Sequence, residues 1–148
     1  MPIPKLDQNG LLPVGTHDCS FEELREHFAG LRSTRRRRDL AEALRRYLEE
    51  VRATGLAVAV IVDGSFVTDK EDPGDIDLIL VVRRGCDISA ILRPFEYNVV
   101  SKGRVRRRYE FDLLVAREDR RDLPDYVGFF QNVRDHPELR KGLLRVIP

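Results

Sequence analysis

The sequence predicts a single α+β domain, and three observations carry that expectation. The chain has 148 residues, the size of one domain. Residues 56–62 and 75–82 are short runs rich in Val, Ile and Leu, bounded by Gly, Pro and Asp, as buried strands are. Between Thr34 and Gly55 the apolar positions Leu40, Leu44, Tyr47, Leu48 and Val51 keep the 3.6-residue period of a half-buried helix. Strands and helices of this size in one chain imply a sheet of three or more strands with helices packed on it.

Residues 1–19, with prolines and glycines and no sustained period, read as an extended arm that packs on the rest. Ser20 stands three residues before Glu23, the capping-box spacing, and Phe21, Leu24 and Phe28 then share a helical face, which predicts a short helix over 21–29. Gly30 ends it. Ser33 or Thr34 opens the long helix and Gly55 closes it. After the first strand a turn-rich stretch leads through Pro73-Gly74 to the second. Ile88, Ile91, Leu92 and Phe95 suggest a helix over 88–100 that Pro94 shortens or kinks. Residues 105–116, in which Tyr109, Phe111, Leu113 and Val115 alternate with Glu110, Asp112 and Leu114, read as a third strand. The segment 117–148 is charged, with Pro124 and Pro137 as helix-start or breaker positions, and reads as helical. No internal repeat or low-complexity linker divides the chain, so 1–148 is one unit: a core over about 56–116, the arm and helices of 1–55 before it and the helical segment after it.

Composition excludes several classes. The 26 Lys and Arg balance 25 Asp and Glu to a net charge of +1, and 42% of residues are hydrophobic, enough for a core and too even in charge to force disorder. The longest apolar stretch is far below the roughly 20 residues that cross a bilayer, so no membrane partner is expected. Met-Pro-Ile-Pro-Lys has no signal-peptide core, and Cys19 and Cys86 are too few for a disulfide framework, so the expected location is cytoplasmic.

The chemistry concentrates in residues 63–78. A strand runs directly into Gly64-Ser65, where a glycine allows close approach of a ligand and amides and a hydroxyl offer donors to phosphate oxygens. Asp75 and Asp77 have the two-residue spacing that places both carboxylates on one face of a strand whose other positions are apolar. Asp112 is likewise an acid beside an apolar run, Leu-Leu-Val-Ala, and Glu110 shares its parity. Carboxylates on neighbouring strands suit hard divalent cations, Mg²⁺ or Mn²⁺.

Gly64-Ser65, nine residues, Asp75-Ile76-Asp77 and then Asp112 on a later strand resemble the polymerase-β-type nucleotidyltransferase superfamily, especially its minimal bacterial members, some of which belong to toxin–antitoxin pairs. The resemblance covers residues 56–116. It implies a mixed sheet flanked by helices, two Mg²⁺ ions and an NTP substrate. Gly64 and Ser65 would then bind the β- and γ-phosphates, Asp75 and Asp77 would coordinate both metals, and Asp112 would hold the catalytic metal and help deprotonate the attacking hydroxyl. Glu110 is the alternative for the third acid. The implied reaction moves a nucleoside monophosphate to a hydroxyl of an RNA such as tRNA, a protein or a small molecule. The small size favours a macromolecular acceptor or an oligomer that completes the site. A non-catalytic, antitoxin-like scaffold that engages RNA or protein through Arg-rich surfaces is the competing expectation, and a metal-dependent phosphodiesterase a third.

Other features are weighed more lightly. Arg104, Arg106 and Arg108 share strand parity with Asp112 and, on a regular strand, would extend its face into a basic rim for a triphosphate or nucleic-acid acceptor. Lys70 lies between the two motifs, within reach of a phosphate. The run Arg35 to Arg38 cannot form one stripe on a helix and reads as a solvated face, with Glu42–Arg46 and Glu49–Arg52 at ion-pair spacing. Tyr126, Phe129 and Phe130 read as core contacts of a C-terminal helix. His17 and Cys19 lack a second ligand pair at zinc spacing.

Overall fold

The computed structural model describes residues 3–30 and 34–148, and within them the chain folds as a five-stranded mixed sheet with helices on both faces. In chain order the elements are β1 (Gly15–Cys19), α1 (Phe21–Leu24), α2 (Arg35–Thr54), β2 (Ala57–Asp63), β3 (Asp77–Val82), α3 (Pro94–Val100), α4 (Lys102–Tyr109), β4 (Asp112–Arg117), α5 (Asp122–Phe130), β5 (Asn132–Val133), β6 (His136–Arg140) and β7 (Gly142–Val146). The sheet order is β1-β7-β2-β3-β4, and β5-β6 is a separate hairpin. β7 and β3 run antiparallel to β2, whereas β1 pairs parallel with β7 and β4 parallel with β3.

Strand alternation divides the core in two. Val60, Val62, Leu78, Leu80, Leu113, Leu144 and Val146 face α1 to α4, meeting Leu24, Phe28, Leu44, Tyr47, Val51, Val99 and Val105. Ala59, Ile61, Ile79, Val81, Ala116 and Leu143 face the other way, onto Leu123, Tyr126, Val127 and Phe130 of α5. Burial on both faces explains why β2 and β3 read as continuous apolar runs rather than alternating ones.

The helix signals are realised in detail. Ser20 Oγ accepts from the Glu23 amide at 3.1 Å while Glu23 Oε1 accepts from the Ser20 amide at 3.1 Å, closing the capping box. α1 widens after Leu24 into a π-turn through Ala29, where the Gly30 amide reaches back to the Arg25 carbonyl at 3.3 Å. Thr34 caps α2 through its hydroxyl, and Gly55 ends it at φ +66°; Ser33, the other candidate cap, lies outside the described residues.

Three expectations need correction. The helix over 88–100 is confined to Pro94–Val100. Proline at the first helical position starts it, and disfavours helical geometry in the residue before. Residues 105–116 are not one strand: Lys102–Tyr109 is helical, and Glu110 at φ +63° breaks the chain before β4. Val105 and Tyr109, both buried, stand at the i, i+4 spacing of one helix face, and Ser101 caps that helix through the Arg104 amide. The segment 117–148 is helical only over Asp122–Phe130; its end supplies three strands, one of which lies between β1 and β2. The N-terminal arm contributes an edge strand, β1.

Candidate functional site

The acids converge because three strands meet at one end of the sheet. β2 ends at Asp63, β3 begins at Asp77 and β4 begins at Asp112, and the register pairs Asp63 with Asp77 and Asp77 with Asp112. Neighbouring strands are about 4.8 Å apart, so the pairing forms a row of carboxylates along the sheet edge. Lys141, immediately before β7, adds an ammonium group beside β2, with Nζ 2.9 Å from Asp63 Oδ1. Asp63 is 3% exposed, so this ion pair is largely withdrawn from solvent.

Asp63 and Asp77 of the row line a cleft of about 870 Å³, together with Gly64, Ser65, Asp75, Lys141, Phe129, Phe130, Arg134 and His136. Burial pushes the Asp77 carboxyl up to about 7, and the charges of Asp75, Asp63 and Asp112 act in the same direction against Lys141. Burial raises Asp63 as well, opposed by Lys141.

Gly64 and Ser65 form the turn between the row and the following loop. Gly64 has φ +98°, and a Cβ there would lie 2.9 Å from the Asp75 carbonyl oxygen and 3.1 Å from the Asp77 amide nitrogen. The glycine is thus required by the close passage of the chain that leads into β3. Gly64→Ala is expected to cost about 1–3 kcal/mol from backbone strain. A urea midpoint unchanged by the substitution would refute this.

Asp75 lies just outside β3, so strand parity does not govern its direction. Its Oδ1 accepts from the Ser65 amide at 3.0 Å and from the Ser65 hydroxyl at 2.9 Å, while Ser65 Oγ accepts from the Gly74 amide at 3.0 Å. The Asp75 carboxylate therefore takes up Ser65 donors that a phosphate oxygen would use. Lys70 is exposed at the cleft rim.

Asp112 occupies the outer end of the row and does not line the cleft. Its side chain is 66% exposed and pairs with Arg106 at 3.0 Å. The expected rim of Arg104, Arg106 and Arg108 is not formed, because a helix distributes the three around its axis. Arg104 lies over the Tyr97 ring and bonds to the Pro94 carbonyl, Arg108 pairs with Glu50 at 2.7 Å, and Arg106 alone reaches the row. Glu110 is exposed at the break before β4.

Several groups at or behind the site escaped the sequence reading. Arg37, expected on a solvated face, is fully buried, and its guanidinium donates to the carbonyls of Phe28, Phe66, Thr68 and Lys70. Arg36 donates to the carbonyls of Pro73 and Gly74 at 3.0 and 2.6 Å. Together they hold both ends of the 65–74 loop against α2. The signal was present: Arg37 precedes Leu40, Ala41 and Leu44 at i+3, i+4 and i+7, on the buried face. On the same helix, Arg45 rather than Arg46 or Arg52 pairs with Glu42 and Glu49. Asp63 ends an apolar run as conspicuously as Asp112 begins one, whereas Lys141 carried no local signal. Phe129 is 63% exposed on the cleft wall, not in the core, while Tyr126 and Phe130 pack partly on the sheet. His17 bonds to the Pro13 carbonyl at 2.7 Å, and among the described residues no group of three or more His, Cys, Asp and Glu side chains is arranged to hold a metal ion.

Fold and site together define an α+β protein with an acid row, a neutralising lysine and a clamped loop at one end of the mixed sheet. The chain belongs to DUF6932, a family of unknown function whose pattern matches residues 4–147. No curated protein and no solved structure matches it. Among the described residues no helix is long and apolar enough to cross a membrane.

Proposed function

We propose that this chain is a Mg²⁺-dependent nucleotidyltransferase that moves a nucleoside monophosphate from an NTP to a hydroxyl of an RNA, protein or small-molecule acceptor, acting in the cytoplasm. The observation that carries the reading is the joint placement of the Gly64-Ser65 turn, Asp75 and Asp77 in one cleft, with Asp112 in register beside Asp77. The donor chemistry fits a hard cation. Asp77 is held against like charges that push its carboxyl up to about 7, a cost a divalent ion would remove. Asp75 and Asp77 would hold the metal, and Asp112 would join them after leaving Arg106. When bound, the metal supplies a lowered pKa for the attacking hydroxyl and charge neutralisation at the pyrophosphate. Within the chain, the Ser65 amide and hydroxyl would pass from Asp75 to a phosphate oxygen, and Lys70 would meet the triphosphate at the rim. An acceptor among toxin–antitoxin partners, or an oligomer that completes the site, is compatible with the family resemblance.

Two contacts favour a second reading. Ser65 is engaged by Asp75, and Asp112 by Arg106, so the same fold can serve as a non-catalytic scaffold with its site closed. Calorimetric titration with each NTP, with and without Mg²⁺, separates the two. Metal-dependent binding by wild type, weakened at least about tenfold in Asp77→Asn and accompanied by pyrophosphate release, is the outcome for the enzyme. Absence of binding by every nucleotide supports the scaffold.

A further inference from the structure

Charge is unevenly shared along this chain. Residues 83–109 hold eight Lys and Arg against two Asp and Glu, a net charge of +6, whereas the whole chain carries +1 and the remainder therefore −5. Both acids are engaged within the segment: Glu96 is buried and accepts from the Arg93 amide at 2.8 Å, and Asp87 accepts from the Ser89 hydroxyl. Folding gathers much of the excess on one surface. Val105 and Tyr109 turn α4 inward, so its exposed positions are Lys102, Gly103, Arg106, Arg107 and Arg108. Arg106 and Arg108 meet Asp112 and Glu50, but among the described residues Lys102, Arg104 and Arg107 are in no ion pair. Arg104 joins the helix to α3, its guanidinium 5.6 Å from the Tyr97 ring centroid and donating to the Pro94 carbonyl at 3.3 Å. Next to Pro94, Phe95 is 39% exposed, with the Arg93 guanidinium 4.7 Å from its ring centroid. Cations free of carboxylates thus continue into arginine–ring stacks. Gly103 stands on the exposed side of α4, where a Cβ would come no closer than 3.9 Å to a neighbouring side chain. Packing does not demand a glycine there and a helix disfavours one, but its bare backbone leaves a low place in the basic face that another chain can approach. Beside it, a groove of about 450 Å³ is lined by Lys102, Gly103, Arg106 and Asp112 among others, and so reaches the outer end of the acid row.

We infer that the α3–α4 surface binds a single-stranded nucleic acid, with Lys102, Arg104 and Arg107 against phosphates and Phe95, backed by Arg93, against a base. The local charge fits a polyanion. The rings choose among polyanions, because an unpaired base stacks on an aromatic or guanidinium plane, whereas a run of acidic peptide offers carboxylates without π faces and a duplex keeps its bases inside. The inference goes beyond the transferase reading and needs neither a divalent ion nor an NTP: a scaffold would use the same surface. On the transferase reading the bound strand is the acceptor, its end brought toward Asp112 along the groove.

The test is fluorescence anisotropy of labelled oligouridylate RNA and oligothymidylate DNA of equal length, titrated with the full chain in EDTA and without nucleotide. Wild type is expected to bind at least one of the two, and the tighter one names the strand. Its log affinity should fall against log salt with a slope of about −2, the value for three phosphate contacts on a single strand. Lys102→Gln/Arg107→Gln should make that slope shallower by about 1.4. Phe95→Ala should weaken binding at least about fivefold at an unchanged slope. Gly103→Glu should weaken it at least about tenfold with no loss of melting temperature, since the added side chain has room. Arg120→Gln/Arg121→Gln removes the same charge from exposed arginines ahead of α5 and should change affinity less than about twofold. If Phe95→Ala does not fold, the variants at the exposed positions 102, 103 and 107 still decide. Failure to bind either strand, binding that survives all the α3–α4 variants, equal weakening by the Arg120 and Arg121 pair, or oligoglutamate bound as tightly as the nucleic acids overturns the proposal. Strand binding with the expected variant pattern but no NTP binding leaves this surface standing and removes the transferase. Metal-dependent NTP binding with no strand bound does the reverse.

Discussion

Replacing Arg37 by Met is expected to lower the unfolding free energy by about 3–5 kcal/mol, the range for breaking a buried charged network. The guanidinium has no solvent exposure, and its two terminal nitrogens donate to four carbonyls, those of Phe28, Phe66, Thr68 and Lys70. It also lies 5.4 Å from the Phe66 ring centroid. Met would fill the volume of the stem and leave those carbonyls without their donors. Arg37→Lys should recover only part of the loss, since an ammonium is a single point and cannot span acceptors arranged for a planar fork. Arg35→Ala is the internal comparison: its pairing with Asp39 at 3.8 Å is exposed, and a change within about 0.5 kcal/mol is expected. Urea unfolding of the three variants checks this, and a loss below about 1 kcal/mol for Arg37→Met would sink it. Because the four carbonyls belong partly to the 65–74 loop, the unfolding of that loop should precede or accompany the global transition in the Met variant, as seen by faster amide exchange at residues 66–70.

Asp77→Asn is expected to stabilise the metal-free protein at alkaline pH and to have little benefit in acid. The Asp77 carboxyl is pushed up to about 7 from the usual 3.8 by burial first and by Asp75, Asp63 and Asp112 after it. A carboxyl whose folded pKa is raised binds more protons folded than unfolded, so its favourable contribution is complete below the unfolded value and is lost as pH rises through about 7. The stability of wild type should therefore fall between pH 4 and 8 more steeply than that of Asp77→Asn. At pH 8 the variant is expected to be more stable by about 1–2 kcal/mol, a figure reduced for the partial solvent contact of this side chain. Melts in EDTA across that range decide it: parallel pH profiles for the two proteins would show that Asp77 carries no such cost. Added Mg²⁺ should stabilise wild type at pH 8 and leave Asp77→Asn nearly unaffected, if the acid row holds the ion.

The two predictions draw on residues of very different legibility. Asp77 was conspicuous, a carboxylate inside an apolar strand, and elementary cost of burial made it a candidate before any coordinates. Arg37 was one of four consecutive arginines, and its burial depends on which side of α2 meets the sheet. The 3.6-residue pattern does place it beside Leu40 and Leu44, yet an unpaired-looking arginine on an apolar face becomes intelligible only when the loop carbonyls that receive it are in view. The same distinction separates Ser20-Glu23, whose capping is a local event within four residues, from residues 105–116. There, an alternating strand pattern and an i, i+4 helical pair compete over the same letters, and packing of Val105 and Tyr109 on the helical side of the core settles the outcome.

Local chemistry was therefore sufficient for the α+β class, for the Ser20-Glu23 capping box, for the caps of α2 and for β2 and β3 as buried strands. Each rests on interactions among residues close in the chain. What tertiary structure alone decided involves residues brought from far apart: the place of the C-terminal strand between β1 and β2, the pairing of Arg106 with Asp112, the closure of Asp75 on Ser65 and the descent of Lys141 onto Asp63. Those contacts depend on strand order and register, which periodicity does not encode, because the same alternation of apolar and polar residues is compatible with many neighbours.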